Sequence, residues 1–291
     1  MAHSQEHYRA LLKAYFPNAG YLAAFAYGSA VFPQASEPDA TALIDFLLVV
    51  EDEKALLDFH AQQYAQNSRL YPWLSPRLAS YCYRNMVYFV PNAHAHGHNR
   101  PPIKYGVLTT ETLLHDLWCW RSLYLAGRLH KPTLLIIPDA FEAYRAPFFQ
   151  ELSLAMQYNW DSALRVALLL GSRSMDEALL NVISISYRGD PRTSLAEHPD
   201  KCRQILQHQH PILLDIYRMR YERLKDQSSC ALVGNLPYFL KKALIRESSV
   251  DAAIRSIVRP YACKQSIGGL LSTSPQTACA YVLRKMLKRF R

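Results

Sequence analysis

The segment from Phe25 to Val50 constrains this chain more than any other stretch. It reads FAYGSAVFPQASEPDATALIDFLLVV, an apolar run ending at Gly28-Ser29, a short proline-containing loop, and a second apolar run interrupted by Asp45. Two such runs around a Gly-Ser turn predict neighbouring strands. The glycine lets backbone N–H groups come close to a triphosphate, and the serine hydroxyl adds one donor. An acid on the following strand is placed to hold Mg²⁺ beside those phosphates. Asp45 stands among Leu43, Ile44, Phe46, Leu47 and Leu48. An unpaired charge is costly to bury, so a positive partner is expected there. The alternative is an edge strand whose Asp45 faces water.

With 291 residues the chain has room for one large domain or two ordinary ones. Half of the residues are hydrophobic, enough for a substantial core. The net charge of +9 directs attention to anionic partners: nucleotides, nucleic acid or an acidic membrane surface. Six cysteines, at 82, 119, 202, 230, 263 and 279, are scattered without a C-x-x-C pair. They read as reduced, mostly buried thiols, neither a disulfide frame nor a zinc site. The opening MAHSQEHYRALLKAYFP lacks an apolar run suited to export, and Glu6 makes it a poor presequence. No uncharged apolar run of about 18 residues occurs, so no membrane-spanning helix is expected.

The texture changes along the chain. Up to about residue 140, strand-like and helix-like segments alternate. Leu22 to Tyr27, Leu43 to Val50, Asn85 to Val90, Lys104 to Leu108 and Thr133 to Ile137 read as strands. Asp52 to Gln66 reads as a helix, and so does Thr110 to Leu125 with Thr110 as its N-cap. Beyond residue 140 the pattern is mainly helical, through Glu151–Leu170, Asp176–Ser186 and His198–Arg223. The seam falls around Pro138.

Further residues carry possible chemistry. Asp190 lies in the turn Tyr187-Arg188-Gly189-Asp190-Pro191. Turn formation alone accounts for Gly, Asp and Pro. The functional reading makes Asp190 a second metal ligand, or an anchor for an acceptor phosphate, brought to Asp45 by packing. Lys104 and Arg192 are placed to clamp phosphates, against the plainer reading of Lys104 as an exposed strand-end lysine. His94, His96 and His98 form an H-A-H-G-H run without cysteine or acid neighbours, a weak metal signal. At the C-terminus Cys279, Val282, Leu283, Met286, Leu287 and Phe290 share a helical stripe, with Arg284, Lys285, Lys288, Arg289 and Arg291 around it. Such a basic amphipathic helix suits an anionic membrane interface, or else packs on the body with its charges in water.

In order and spacing these segments resemble the mitochondrial-type phosphatidate cytidylyltransferases, the CDP-diacylglycerol synthases of the translocator assembly and maintenance family. The likeness rests on Tyr27-Gly28-Ser29-Ala30-Val31-Phe32-Pro33-Gln34 and Ile44-Asp45-Phe46-Leu47-Leu48-Val49-Val50. It continues through Phe59-His60, Asn67, Tyr71, Ile103-Lys104-Tyr105-Gly106-Val107, Asp116-Leu117-Trp118 and Leu123-Tyr124-Leu125-Ala126-Gly127-Arg128-Leu129, and ends at Tyr187-Arg188-Gly189-Asp190-Pro191-Arg192. Ala30 stands where the family has a second glycine, Phe59 where it has tryptophan, and Leu70 where it often has histidine. Pro191 after Asp190 is a further departure.

The resemblance implies an α+β fold: a nucleotidyltransferase-type mixed sheet over residues 1–140, then a mainly helical, winged-helix-like part over 141–291 ending in the amphipathic helix. It implies transfer of a cytidylyl group from CTP to phosphatidic acid with Mg²⁺ as cofactor. Asp45 and Asp190 would serve as catalytic and metal-binding acids. Tyr27, Gly28, Ser29 and Lys104 would contact the nucleotide, and Arg192, Arg284, Lys285 and Lys288 the phosphatidate. The partners would be CTP, phosphatidic acid and an anionic membrane surface, with no stable nucleic acid and oligomeric state left open. The location would be peripheral, on the inner face of a bacterial cytoplasmic membrane or the matrix side of the mitochondrial inner membrane. Two other readings remain: a nucleotidyltransferase acting on protein or tRNA, and a non-enzymatic winged-helix protein that binds nucleic acid with salt-sensitive affinity.

Overall fold

The computed structural model describes residues 2–17, 20–33, 43–66, 87–93, 103–138, 146–191, 193 and 198–271. In chain order these form α1 (Ala2–Tyr15), β1 (Ala23–Tyr27), β2 (Ile44–Val50), α2 (Glu53–Gln66), β3 (Tyr88–Ala93), β4 (Ile103–Thr109), α3 (Thr110–Cys119) and β5 (Leu134–Ile136). Then follow α4 (Ala146–Leu169), α5 (Met175–Ser184), a 3₁₀ turn (Ile185–Tyr187), α6 (Lys201–Leu224), α7 (Ser229–Gly234), α8 (Tyr238–Leu244) and α9 (Val250–Leu271). The expected α+β class holds. Beyond β5 the described residues contain helices and no strand.

The strands form one mixed sheet in the order β3-β4-β2-β1-β5. β2 and β4 run parallel, and the other neighbours are antiparallel. Both faces are covered, which explains why β2 reads as a nearly unbroken apolar run. Ala23, Phe25, Leu47, Val49, Phe89 and Leu108 pack towards the helices α3 to α6, α8 and α9. Ala24, Ala26, Phe46, Leu48, Val50, Tyr105 and Val107 face a second layer with Leu12 and Phe16 of α1 and Leu56 and Phe59 of α2. The first apolar cluster runs unbroken from the sheet into the helices that follow residue 140.

Several boundaries differ from the sequence expectation. α1 is an element the sequence reading did not anticipate. Its Leu11, Leu12 and Tyr15 are buried, and Gln5 Nε2 and Arg9 Nε each donate to a backbone oxygen at β5, Leu135 O and Ile137 O, both at 2.9 Å. β3 lies later than expected, over Tyr88–Ala93. α3 stops at Cys119 instead of continuing to Leu125, and its N-cap is Thr109, whose side chain accepts from Thr112 N–H, not Thr110. The reason is Asp116, only 3% exposed. Its carboxylate accepts from Ser122 N (2.8 Å), Ser122 Oγ (3.0 Å), Leu123 N (3.2 Å), Leu125 N (2.9 Å) and Ala126 N (3.1 Å). A continued helix would commit those N–H groups to its own ladder and leave the buried charge unsatisfied. Instead Trp120 and Leu123 take positive φ of 57° and 55°, an uncommon conformation for large side chains that five hydrogen bonds to one carboxylate hold in place.

Behind this loop lies a buried polar knot. Asn159 Oδ1 accepts from Trp120 Nε1 at 2.8 Å and lies 3.0 Å from His130 Nε2, while Asn159 Nδ2 donates to Ala126 O at 3.1 Å. Since that oxygen only accepts, the His130 proton is assigned to Nε2. His130 Nδ1 has no partner. Burial, aided by the Lys131 charge, lowers the His130 pKa from 6.5 to about 3. The unfolded chain therefore takes up this proton first. His130 leaves stability intact above about pH 6.5 and erodes it as pH falls from there towards 3. In that window the wild type should lose up to about 1.4 kcal/mol per pH unit more than His130→Gln, whose side chain does not titrate. Urea titrations of both proteins at several pH values check this, and parallel pH profiles would refute it.

Candidate active site

Gly28 closes β1 with φ of +87°, a conformation glycine adopts freely. A second constraint is spatial. A Cβ at Gly28 would lie 2.7 Å from Asp45 Oδ2, so the carboxylate rests where any other residue would place its side chain. The turn is closed by Val31 N and Phe32 N donating to Gly28 O at 3.2 and 2.9 Å.

Asp45 occupies the first turn of pleat in β2, directly between Tyr27 of β1 and Lys104 of β4. Parallel register puts Lys104 on the same face, and its Nζ meets Asp45 Oδ1 at 2.5 Å. This is the positive partner expected from the apolar surroundings of Asp45. The two side chains are 22% and 23% exposed, so the pair stands at a mouth, not in the deep core. Lys104 is thus paired with Asp45 and is not a free strand-end lysine.

The Tyr27 hydroxyl is buried beside this pair, with no hydrogen-bond partner among the described residues. Burial, reinforced by the Asp45 charge and opposed by Lys104 and Arg128, pushes its pKa up to about 12. It is therefore a protonated donor at neutral pH. Arg128 completes a basic wall. Its guanidinium lies 3.6 Å from the Tyr124 ring centroid and 5.8 Å from that of Phe89, and Lys104 Nζ lies 5.2 Å from Phe89. Nη1 of Arg128 also donates to Tyr124 O at 2.7 Å. Two cations thus share one aromatic residue beside Asp45. The sequence reading quoted Tyr124 and Arg128 only as part of a motif and did not assign Phe89. The available signal was Asp116, an acid inside an apolar helix, since the loop it ties carries Tyr124 and leads into Arg128.

Asp190 follows the 3₁₀ turn and the expected glycine. Gly189 has φ of +79°, and a Cβ there would come within 2.9 Å of Arg255 Cα on α9. Asp190 N donates to Tyr187 O at 3.3 Å and Asp190 O accepts from Thr193 N at 3.1 Å. The turn rests on the loop of Arg128, because Lys131 Nζ donates to Ser186 Oγ at 2.9 Å and a Cβ at Gly127 would meet Ser186 Cβ at 2.6 Å. No described contact joins Asp190 to Asp45. Arg192, the histidine run 94–98 and the tail residues Arg284, Lys285 and Lys288 lie outside the described residues.

Among the described residues no group of three or more His, Cys, Asp or Glu is assembled that could hold a metal ion. Asp45 offers hard carboxylate oxygens, which suits Mg²⁺ completed by substrate phosphates and water.

Gln209 carries no local signal of a role. This α6 residue is 3% exposed, and its Nε2 donates to Phe32 O at 3.0 Å and to Pro33 O at 3.4 Å, across a separation of 177 residues in the first case. It pins the exit of the Gly28 turn to the helical layer. Gln209→Met keeps the length and removes the donor. Leaving two carbonyls against a thioether should cost about 1–3 kcal/mol of stability. With the turn loosened, KM for the nucleoside triphosphate should rise several-fold. A lowered Tm with unchanged KM would reduce Gln209 to a packing role.

Similarity to known proteins identifies the family. Residues 8–236 match the family described as "Phosphatidate cytidylyltransferase, mitochondrial". The protein of that name from Mus musculus is 29% identical over 328 aligned positions, covering 96% of this chain and 93% of the relative. The Xenopus laevis protein is 30% identical over 92% of this chain and 90% of its own length. The Drosophila melanogaster protein is 31% identical over 82% of this chain and 72% of its own length. With a family match across most of its length and relatives aligned nearly end to end, the chain belongs to the mitochondrial phosphatidate cytidylyltransferase family.

Proposed function

We propose that this chain transfers the cytidylyl group of CTP to phosphatidic acid, giving CDP-diacylglycerol and pyrophosphate. Family membership supports the reaction. The observation that carries it in this chain is the knot of Gly28, Asp45 and Lys104 at one end of the sheet. A phosphate oxygen of phosphatidate attacks the α-phosphorus of CTP, and pyrophosphate leaves towards the Gly28-Ser29 turn. Bound through Asp45, Mg²⁺ would neutralise charge on the phosphates.

The chain's own groups do the positioning. Lys104 holds the Asp45 charge, and its flexible stem would let the ammonium reach the substrate phosphates. Tyr27 and Ser29 donate hydrogen bonds, and Arg128 adds a fixed positive charge on the side of the helical layer. Asp190 serves as a second acid, for metal or for the acceptor phosphate, with Arg192 beside it in sequence. Arg284, Lys285 and Lys288 of the basic tail would meet the lipid. The sheet half carries nucleotide and the helical half covers it. No helix among the described residues is long and apolar enough to cross a membrane. The relatives are named as mitochondrial, and the reading places this enzyme at the periphery of an anionic membrane.

Pyrophosphate release measured with each of four nucleoside triphosphates, with and without phosphatidate vesicles, tests the reaction. Release that needs both CTP and phosphatidate is expected, and release that ignores phosphatidate would refute it. Asp45→Asn keeps the shape and should lower the kcat of the folded fraction by about a hundredfold or more at saturating Mg²⁺. Near-wild-type turnover would remove Asp45 from the site. For Asp190→Ala the expected result is a large fall in kcat with Tm nearly unchanged. A lowered Tm with normal specific activity of the folded fraction would assign Asp190 to turn structure alone.

A further inference from the structure

The short helix α8 and its C-cap, Ile245, carry an exposed face that mixes apolar and basic side chains. Tyr238 is 56% exposed and Ile245 is 86% exposed. Lys241 and Lys242 lie between them, and all four fall at i, i+3, i+4 and i+7, on one helix face. Arg246 follows and is exposed as well. The opposite face is firmly seated: Leu240 is fully buried, and the Phe239 ring lies 6.0 Å from that of His115 on α3. No acidic residue occurs between Asp226 and Glu247, so this stretch carries three positive charges with no counter-charge of its own. Lys242 Nζ lies 6.0 Å from the Tyr238 ring centroid.

We propose that the Tyr238-Lys241-Lys242-Ile245 face of α8 is a docking surface for an anionic phospholipid bilayer. The chemistry of each position fits that occupant. A tyrosine with an apolar ring and a polar tip rests at headgroup depth. An isoleucine so far exposed gains only by leaving water. Lysine stems lie along the apolar surface while their ammonium groups reach lipid phosphates. The charge is complementary to a membrane that holds an anionic lipid substrate. This inference therefore rests on the phosphatidate reading for its use, though not for its measurement. The face precedes the basic tail in sequence and would give the enzyme an attachment at α8.

The test uses the full chain with two double variants, Tyr238→Ser with Ile245→Ser and Lys241→Glu with Lys242→Glu. Sedimentation with phosphatidylcholine vesicles, with and without phosphatidylglycerol, reads the binding. Wild type should pellet with the anionic vesicles, and each variant should partition about tenfold more weakly or worse, at unchanged Tm. Turnover of dispersed short-chain phosphatidate should be unaltered in both, while turnover of phosphatidate held in vesicles falls. Wild-type sedimentation by both variants would overturn the proposal, including the case in which the face binds a protein or a nucleic acid instead. Lost turnover on dispersed substrate with unchanged sedimentation would overturn it too. A wild type that pellets yet makes no CDP-diacylglycerol from the dispersed lipid would refute the activity and leave the docking surface standing.

Discussion

The contact between Lys104 and Asp45 organises this molecule. Two parallel neighbouring strands bring a cation and an acid together at the sheet end, with the acid resting on a glycine. Each partner makes the other tolerable in surroundings that are otherwise apolar. Around that pair stand Tyr27, Phe89, Arg128 and the Gly28 turn. Parallel pairing requires a long connection between the two strands, and here α2 and β3 lie on it.

A second acid plays a different part. Asp116 touches no proposed substrate position, yet its five hydrogen bonds end a helix early and bend the next residues into the loop that leads to Arg128. The Asn159–His130–Trp120 knot supports that loop from behind, and Tyr217 of α6 donates to His130 O at 2.8 Å. The helical layer therefore reaches the site by two routes, through this knot and through Gln209.

What was legible in the sequence follows from local patterning. The strands β1, β2, β4 and β5 show as apolar runs, and the long helices after residue 140 show as periodic ones. Gly28 and Asp45 were legible because a tight turn and a charge among apolar neighbours each demand an explanation. The partner of Asp45 was not, since nothing local tells which lysine a parallel strand will deliver. The end of α3 was misplaced because helical periodicity continues past Cys119, and only the tertiary surroundings of Asp116 make a loop cheaper than another turn. Gln209 was invisible for the same reason: a glutamine in a helix is unremarkable until its amide meets a loop far away in sequence. α1 was legible but overlooked: Tyr8, Leu11, Leu12 and Tyr15 stand at i, i+3, i+4 and i+7 and pack on one cluster.

The two borders of the sheet have a consequence for how this protein meets others of its kind. An open edge strand offers free backbone groups to any passing chain. At β5 that offer is withdrawn by α1, whose Gln5 and Arg9 side chains occupy carbonyls there. At the far border, β3 contains Pro91, which has no N–H to give, and Gln265 of α9 donates to Val87 O just before the strand begins. A sheet guarded on both sides resists growth by strand addition, a useful property for a basic, half-apolar protein.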